Sequence, residues 1–458
     1  MRLHLFFAVV ATFARTAWGA TISRDDSLET LVHNLQEDAI SADGEVWAVL
    51  VAGSTQWENY RHQADIAHAY HVVRSHGIPA DHIITMMFDD IANDESNHWP
   101  GMLFNNQSYI DYHAGLQIDY TKEDVTPDNF INVLMGTETA AKKPVLKSKA
   151  NDRVFVYFAD HGAVGLISFP DGKVLTASNL DSALGYMYFN KMYSKLVFYL
   201  EACESGSIHM IRSVFAMTSA WANESAYAID CDNSRNLPCL ADQFSIAWMM
   251  DSDSHDIFAM TVGEQADRAT RATDLNHVMR YGDPKIERQI LGRFQGMAPA
   301  RRSVADNALE PISLSSGIRV PSWDAEVHHL KSTHALARSA EKAAAIEARL
   351  LAIEINNRRI DDLVEGIVDE IVRMHIGEQL ALHSTIKSST LLGDVRREGE
   401  SIHVKCHHEV ATAFARDCVN VAKNTHALRY MRVLNNLCSI ASAEEILAAF
   451  ASSCTARI

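Results

Sequence analysis

The chain has 458 residues, more than one ordinary domain holds, so two or more domains are expected. Its 47% hydrophobic and 22% charged residues are those of a globular protein with a sizeable core. A formal net charge of −17 lacks the basic footprint of a nucleic-acid binder and excludes that class of partner.

The first residues, MRLHLFFAVVATFARTAWGA, read as a secretory leader over residues 1–19. Arg2 supplies the positive end, Leu5 to Ala11 the apolar stretch, and Ala17 and Gly19 the small residues before a cleavage point. Residues 20–43 follow as a short pro-segment. The leader is too short for a membrane span, and no later stretch approaches about 18 uninterrupted apolar residues. The expectation is a soluble protein of the secretory pathway, endolysosomal or released outside the cell.

From residue 44 the pattern alternates. VWAVLVAG (46–53) is an apolar strand ending in Gly. Residues 61–77 space Ala64, Ala67, Tyr70 and Val73 as a helix face and stop at Gly77, with Pro79 beyond. HIITMMF (82–88) is a second strand, and TPDNF (126–130) carries capping signals and opens a helix. DRVFVYFA (152–159), KLVFYL (195–200) and RSVFAMTSA (212–220) are further buried strands. Continuous apolar strands alternating with helices predict an α/β domain over 44–295, with a parallel sheet covered on both faces. Ligands in such folds bind beyond the carboxyl ends of the strands. His161 and Cys203 sit at two such ends.

Composition shifts near residue 295. Residues 296–323 include three of the ten prolines, lack a clear period, and read as an exposed linker. From 324 to 458 the chain is rich in strong helix formers, as in LARSAEKAAAIEARLLAIEI. From Asp324 onward lie 16 basic and 18 acidic residues, a net of −2; the 25 basic and 40 acidic residues before it give −15.

Seven cysteines in an exported protein should mostly pair. Cys231 and Cys239, eight apart in CDNSRNLPC, can close on each other. Cys406, Cys418, Cys438 and Cys454 are separated by 11, 19 and 15 residues, which fits disulfides better than zinc-ligand spacing. No metal site or cofactor is expected. Cys203 is left as the odd thiol. Asn106 and Asn223 head Asn-x-Ser sequons, the acceptors of N-glycosylation.

Cys203 lies in YLEACESGS between two glutamates, which would raise its pKa, so a nucleophilic role needs an activator. His161, in FADHG, is the candidate general base or ion-pair partner. Gly162 lets backbone approach a bound carbonyl closely, and the N–H groups of Cys203 and Gly162 can form an oxyanion hole. A lone His-Gly is more often a turn than a catalyst. Two strand-end positions and an unpaired thiol together point to nucleophilic acyl chemistry.

With NYRHQAD (59–65), MMFDDIA (86–92) and YTKEDVTPDNF (120–130), these motifs resemble the legumain, or asparaginyl endopeptidase, family, and the match runs over nearly the whole chain after the leader. The resemblance implies a caspase-like fold: a mainly parallel six-stranded sheet between helices, followed by an all-α pro-domain. It pairs Cys406 with Cys438 and Cys418 with Cys454. It makes Cys203 the nucleophile and His161 the base, with Asn59 orienting the imidazole. It draws the specificity pocket from Arg61, His62, Glu201, Asp242 and Ser225. An asparagine side chain has one carbonyl acceptor and one NH₂ donor, which Arg61 and the two carboxylates would match. Ionised aspartate would meet those carboxylates as a like charge, so cleavage after Asp is expected only at acidic pH.

Implied partners are peptides and proteins with an exposed Asn, the chain's own pro-domain as intramolecular inhibitor, and cystatin-type inhibitors. Self-cleavage of the linker is expected at Asn307, with Asp306 as an acid-pH site. Two departures stand out: Ala226 replaces a hydroxyl residue, and Ala241 replaces the Gly before Asp242. The alternatives are a transpeptidase or ligase using the same acyl-enzyme, a lipid-anchor transamidase disfavoured by the lack of a C-terminal span, and an inactive binding protein of the same fold.

Overall fold

The computed structural model describes residues 44–139, 142–208, 214–297, 317–381, 403–454 and 457–458. The expected leader, the pro-segment, and Asp306 and Asn307 lie outside these residues.

The strand residues alternate between two cores, which is why the sheet forms where it does. In β1 (Val46–Ala52), Val46, Ala48, Leu50 and Ala52 face one cluster, while Trp47, Val49 and Val51 face the other. β3 (Arg153–Ala159) and β7 (Lys195–Glu201) divide in the same way. Every such residue is buried, so the strands read as unbroken apolar runs.

With β2 (Ile83–Met86), β8 (Val214–Thr218) and β11 (Met279–Gly282) these strands form one six-stranded sheet, order β11-β8-β7-β3-β1-β2. All pairings are parallel except β11 with β8. One face is covered by α1 (Tyr60–Ser75), α4 (Gln243–Ser254) and α5 (Val262–Ala272). The other is covered by α2 (Pro127–Leu134) and α3 (Ala177–Phe189). The α2 cap forms as expected: Pro127 is the first helical residue and the Thr126 side chain accepts from the Asn129 N–H.

Two small sheets were not expected. β4 (Gly162–Ala163), β5 (Leu166–Ser168) and β6 (Val174–Thr176) make an antiparallel platform. β9 (Tyr227–Ile229) pairs with β10 (Ala241–Asp242) on one side and β12 (Val320–Pro321) on the other. The last pairing corrects the exposed-linker reading at its end. Val320 and Ser322 are buried, because this stretch adds a strand to β9 instead of running over the surface.

Beyond the four-residue α6 (Gly292–Gln295) and that strap come α7 (Ala325–Ala335), the long α8 (Ala340–Ala381), α9 (Val404–Ala413), a π turn over Phe414–Cys418, α10 (Met431–Leu437) and α11 (Ala443–Ser453). Ile360, Val364, Ile367 and Ile371 on α8 are spaced as one face and bury against Val410, Phe414, Leu434 and Phe450. The same core takes in Ala163, Leu166 and Val174, so the helical module is seated on the β4–β6 platform. Disulfides join Cys231–Cys239, Cys406–Cys438 and Cys418–Cys454, and Cys203 is free. Among the described residues no helix is long and apolar enough to cross a membrane.

Candidate active site

Three neighbouring parallel strands end at one level. Ala52 of β1 lies opposite Ala159 of β3, which lies opposite Glu201 of β7. The residues just beyond these ends are therefore brought together by register alone. They are Ser54 to Arg61 after β1, Asp160 and His161 after β3, and Ala202 to Glu204 after β7. Gly53 and Gly162 have no room for a side chain. A Cβ on Gly53 would fall 2.7 Å from Asp160 Oδ2, and one on Gly162 would fall 2.6 Å from the Cys203 carbonyl.

Cys203 is buried, with Sγ 3.3 Å from Ser225 Oγ. Burial pushes its thiol up to about 12. His161 Nε2 lies 2.8 Å from Asn59 Oδ1, while Asn59 Nδ2 donates to the Thr55 carbonyl. The oxygen facing the ring can only accept, so Nε2 carries the proton and Nδ1 is left as a base. Burial, with Arg61 nearby, holds His161 well below the usual histidine range. Burial thus favours the neutral form of both side chains.

A polar pocket lies beside them. Arg61 is fully buried and its Nε donates to Asp242 Oδ1 at 2.8 Å. Glu201 Oε2 accepts from the Ser245 N–H (3.0 Å) and hydroxyl (2.9 Å). Asp65 lies behind, 3.3 Å from the Asp242 N–H. Burial, reinforced by the charge of Asp242, lifts Glu201 to about 8 and Asp65 well above the carboxylate range. Asp242 is raised by burial and pulled back by Arg61, its ion-pair partner. Glu201 Oε1 and Asp242 Oδ2 are buried acceptors without a hydrogen-bond partner. His62 stands between pocket and base: Nδ1 is 2.7 Å from Ser54 Oγ, Nε2 is 3.4 Å from Asp242 Oδ2, and its ring meets His161 edge-on. Ser225 touches the thiol rather than the pocket floor.

The pocket is filled from within the chain. Ser322 donates its N–H to the Ala226 carbonyl (2.8 Å), and Arg61 Nη2 donates to Ser322 Oγ (2.5 Å). The Ser322 carbonyl also faces Arg61, at 3.5 Å. Glu204, in a left-handed turn at φ 52°, accepts from the Val164 N–H (2.9 Å) and from Arg432 of α10 (3.1 Å). Arg432 also donates to the Ala222 carbonyl (2.5 Å). Buried His407 of α9 donates to the Val164 carbonyl at 2.7 Å.

Ser322, Glu204, Arg432 and His407 were not found from the sequence. A glutamate after the thiol carries no sign of which distant arginine it meets. Of the two sequon residues, Asn106 is half-buried and Asn223 exposed.

The comparisons with known proteins agree with this layout. A model of the peptidase C13 family matches residues 46–297, and a legumain prodomain model matches residues 357–454. Legumain of Rattus norvegicus is 39% identical over 408 residues, covering 86% of this chain and 89% of the relative. A hemoglobinase of Schistosoma mansoni is 40% identical over 348 residues, covering 75% and 79%. The vacuolar-processing enzyme delta-isozyme of Arabidopsis thaliana is 34% identical over 423 residues, covering 87% and 88%. A solved caspase-1 from Spodoptera frugiperda aligns with a TM-score of 0.31 and 10% identity over 51% of this chain and 77% of its own. The matched family model spans the α/β domain, and the relatives align over most of both chains. The chain belongs to the peptidase C13 (legumain) family and is a cysteine peptidase with a legumain prodomain.

Proposed function

We propose that the protein is an endopeptidase that cleaves after asparagine, and after aspartate only in acid, and that it is made as a zymogen. The observation that carries the specificity is the buried pocket. One guanidinium, now donating to Ser322, stands with two unpartnered carboxylate oxygens, on Glu201 and Asp242. A carboxamide answers both: its oxygen accepts from Arg61 and its NH₂ donates to the carboxylates. A side chain lacking either half leaves a buried polar group unpaired, which is how such pockets discriminate strongly. An ionised aspartate brings a second carboxylate to Asp242; a protonated one mimics asparagine.

In the reaction, His161 Nδ1 takes the Cys203 proton as Sγ attacks the carbonyl carbon before the scissile bond. Asn59 holds the ring in the tautomer that leaves Nδ1 free. The Cys203 and Gly162 N–H groups receive the oxyanion. The proton then passes to the leaving amine, and water resolves the thioester.

Residues 320–322 act as a strap that occupies the cleft like a substrate. They run antiparallel to β9, with Ser322 over Arg61. The Ser322 carbonyl faces Arg61, which supports a strap that is held rather than cut. The proposed organisation is a leader over 1–19 and a pro-segment over 20–43, routing the chain through the secretory pathway, then the catalytic domain (44–295), a linker cut at Asn307 or Asp306, and the inhibitory module from 324.

Acid favours release of that module through His407. Burial lowers its pKa to about 4, below the 6.5 of a free imidazole; the Val164 contact opposes the shift, and His408 and His403 add to it. A histidine lowered in the docked state contributes full docking strength above pH 6.5. That contribution is lost as pH falls from 6.5 towards 4.

The test is hydrolysis by acid-treated protein of two peptides, one with Asn and one with Ala before the scissile bond, beside Cys203→Ala. The expected result is cleavage of the Asn peptide alone, lost by at least about 10³-fold in the variant. Equal cleavage of both peptides would remove the pocket reading. Activity surviving in Cys203→Ala would remove the nucleophile.

A further inference from the structure

The strand ends gather a second constellation beside the base. One nitrogen of His62, one nitrogen of His161 and one carboxylate oxygen of Asp160 lie within 4.8 Å of one another, all three residues buried. His62 Nδ1 is 3.3 Å from Asp160 Oδ1. The two imidazole planes cross at 84° with centroids 5.0 Å apart. Asp160 Oδ1 and His161 Nδ1 have no hydrogen-bond partner among the described residues, while His62 Nδ1, the nitrogen nearer Asp160, is shared with the Ser54 hydroxyl at 2.7 Å. A buried polar atom without a partner is destabilising, so two in one place favour a ligand that satisfies both together.

Two imidazoles and a carboxylate are the donor set of an open zinc centre, with three protein ligands and one position for water. Two ligands on a tetrahedral ion at about 2.0–2.1 Å are roughly 3.3 Å apart, which is the separation His62 and Asp160 already have. Imidazole donors select zinc over calcium or magnesium, which prefer all-oxygen shells. Asp160 Oδ1 and Asp242 Oδ2 lie 3.3 and 3.4 Å from the two nitrogens of His62, and Arg61 is paired with the other oxygen of Asp242. Both imidazoles are held neutral by burial, the form that ligates. Ser168 Oγ donates to Asp160 Oδ2 at 2.7 Å and turns the other oxygen towards the histidines, as outer-shell partners do around metal ligands.

We propose that His62, Asp160 and His161 form an inhibitory zinc(II) site. The ion occupies the Nδ1 lone pair that would receive the Cys203 proton, so a metal-loaded enzyme cannot generate its nucleophile. The inhibition rests on the reading of His161 as base; the binding does not.

The test separates the two. The full-length Cys203→Ala chain is dialysed to equilibrium against zinc(II), and against cobalt(II) to read the visible bands of a four-coordinate ion. One tight site per chain is expected above the background of surface histidines. Its affinity should lie within about threefold of the unmutated chain, because Cys203 is not a required ligand. His62→Gln and Asp160→Asn should each weaken it by at least tenfold, the lower end of what losing even an outer-shell partner costs a zinc site. Should Asp160→Asn fail to fold, His62→Gln decides alone, with its melting curve as the folding control. Affinity unchanged in His62→Gln, or binding lost in Cys203→Ala, overturns the site; the latter would mean the metal is captured by the thiol. If binding behaves as expected but zinc leaves Asn-peptide hydrolysis by acid-treated, unmutated protein untouched, the site stands and the role of His161 as base falls.

Discussion

The floor of the cleft and its cover are built on different plans. The floor comes from three adjacent strand ends of one sheet, held level by register, with His161 and Cys203 each two residues past the last paired positions. The cover comes from remote chain: Ser322 meets Arg61 across 261 positions, Arg432 meets Glu204 across 228, and His407 meets Val164 across 243. The floor's bonds, His161 to Asn59, Asn59 to Thr55 and Arg61 to Asp242, are internal to the catalytic domain and use no group of the cover. The cover's bonds end on groups that substrate or water can satisfy instead. On the proposed reading, a catalytic geometry is completed early and kept silent by a few exchangeable polar contacts.

The sharpest way to break this division is Arg61→Ala. It removes the pocket's cation and leaves Asp242 buried without a partner. The expected loss in kcat/KM for an Asn peptide is about 10³-fold, with a fall in melting temperature, because breaking a buried pair costs about 3–5 kcal/mol. Unchanged kinetics would show that Arg61 serves the strap alone. Asn59→Ala tests the floor without touching the pocket: kcat should drop by roughly 10–100-fold as the imidazole loses its fixed tautomer, with KM little altered. A change confined to KM would contradict the orienting role.

The cover is tested by His407→Gln, which keeps a donor for the Val164 carbonyl but cannot take a proton. Between pH 6.5 and about 4, release of the module from linker-cut protein should lose up to roughly 300-fold of its pH dependence, at about 1.4 kcal/mol per pH unit. An unaltered release curve would exclude His407 as the sensor. Glu204→Gln should have the smallest effect. It leaves Arg432 with the Ala222 carbonyl alone, and release at neutral pH should rise by about tenfold. Iodoacetamide labelling of Cys203 reads the same event, since the thiol's raised pKa stems mainly from burial. Labelling that follows pH while the module stays bound would mean that the thiol titrates without uncovering.

The same division explains what could be read in the sequence. VWAVLVA, RVFVYFA and KLVFYL announce buried parallel strands because both faces are apolar, and residues just past such strands are natural site residues. His161 and Cys203 were legible on that ground. The pocket residues needed a family resemblance, since Arg61 and Asp242 are 181 positions apart and periodicity does not report pairing at that distance. β12 is two residues long and its neighbour at 322 is a serine, so composition marked the stretch as linker. Only the pairing with β9 shows that it is part of the cleft. Glu204 was conspicuous but unassignable, because its partner Arg432 looks like any solvated helix residue until α10 is placed against it.

The cover also carries its own covalent bracing. Cys406–Cys438 and Cys418–Cys454 close loops of 32 and 36 residues within the helical module, and neither tethers it to the catalytic domain. Loops of that length restrict the unfolded chain enough to be worth about 4 kcal/mol each. On the proposed reading, a module stapled in this way would leave as a folded body with its docking face intact. It would be able to return when the pH recovers, making release alone a reversible shutter. Commitment to activity would then require that the detached module be degraded or its two staples reduced.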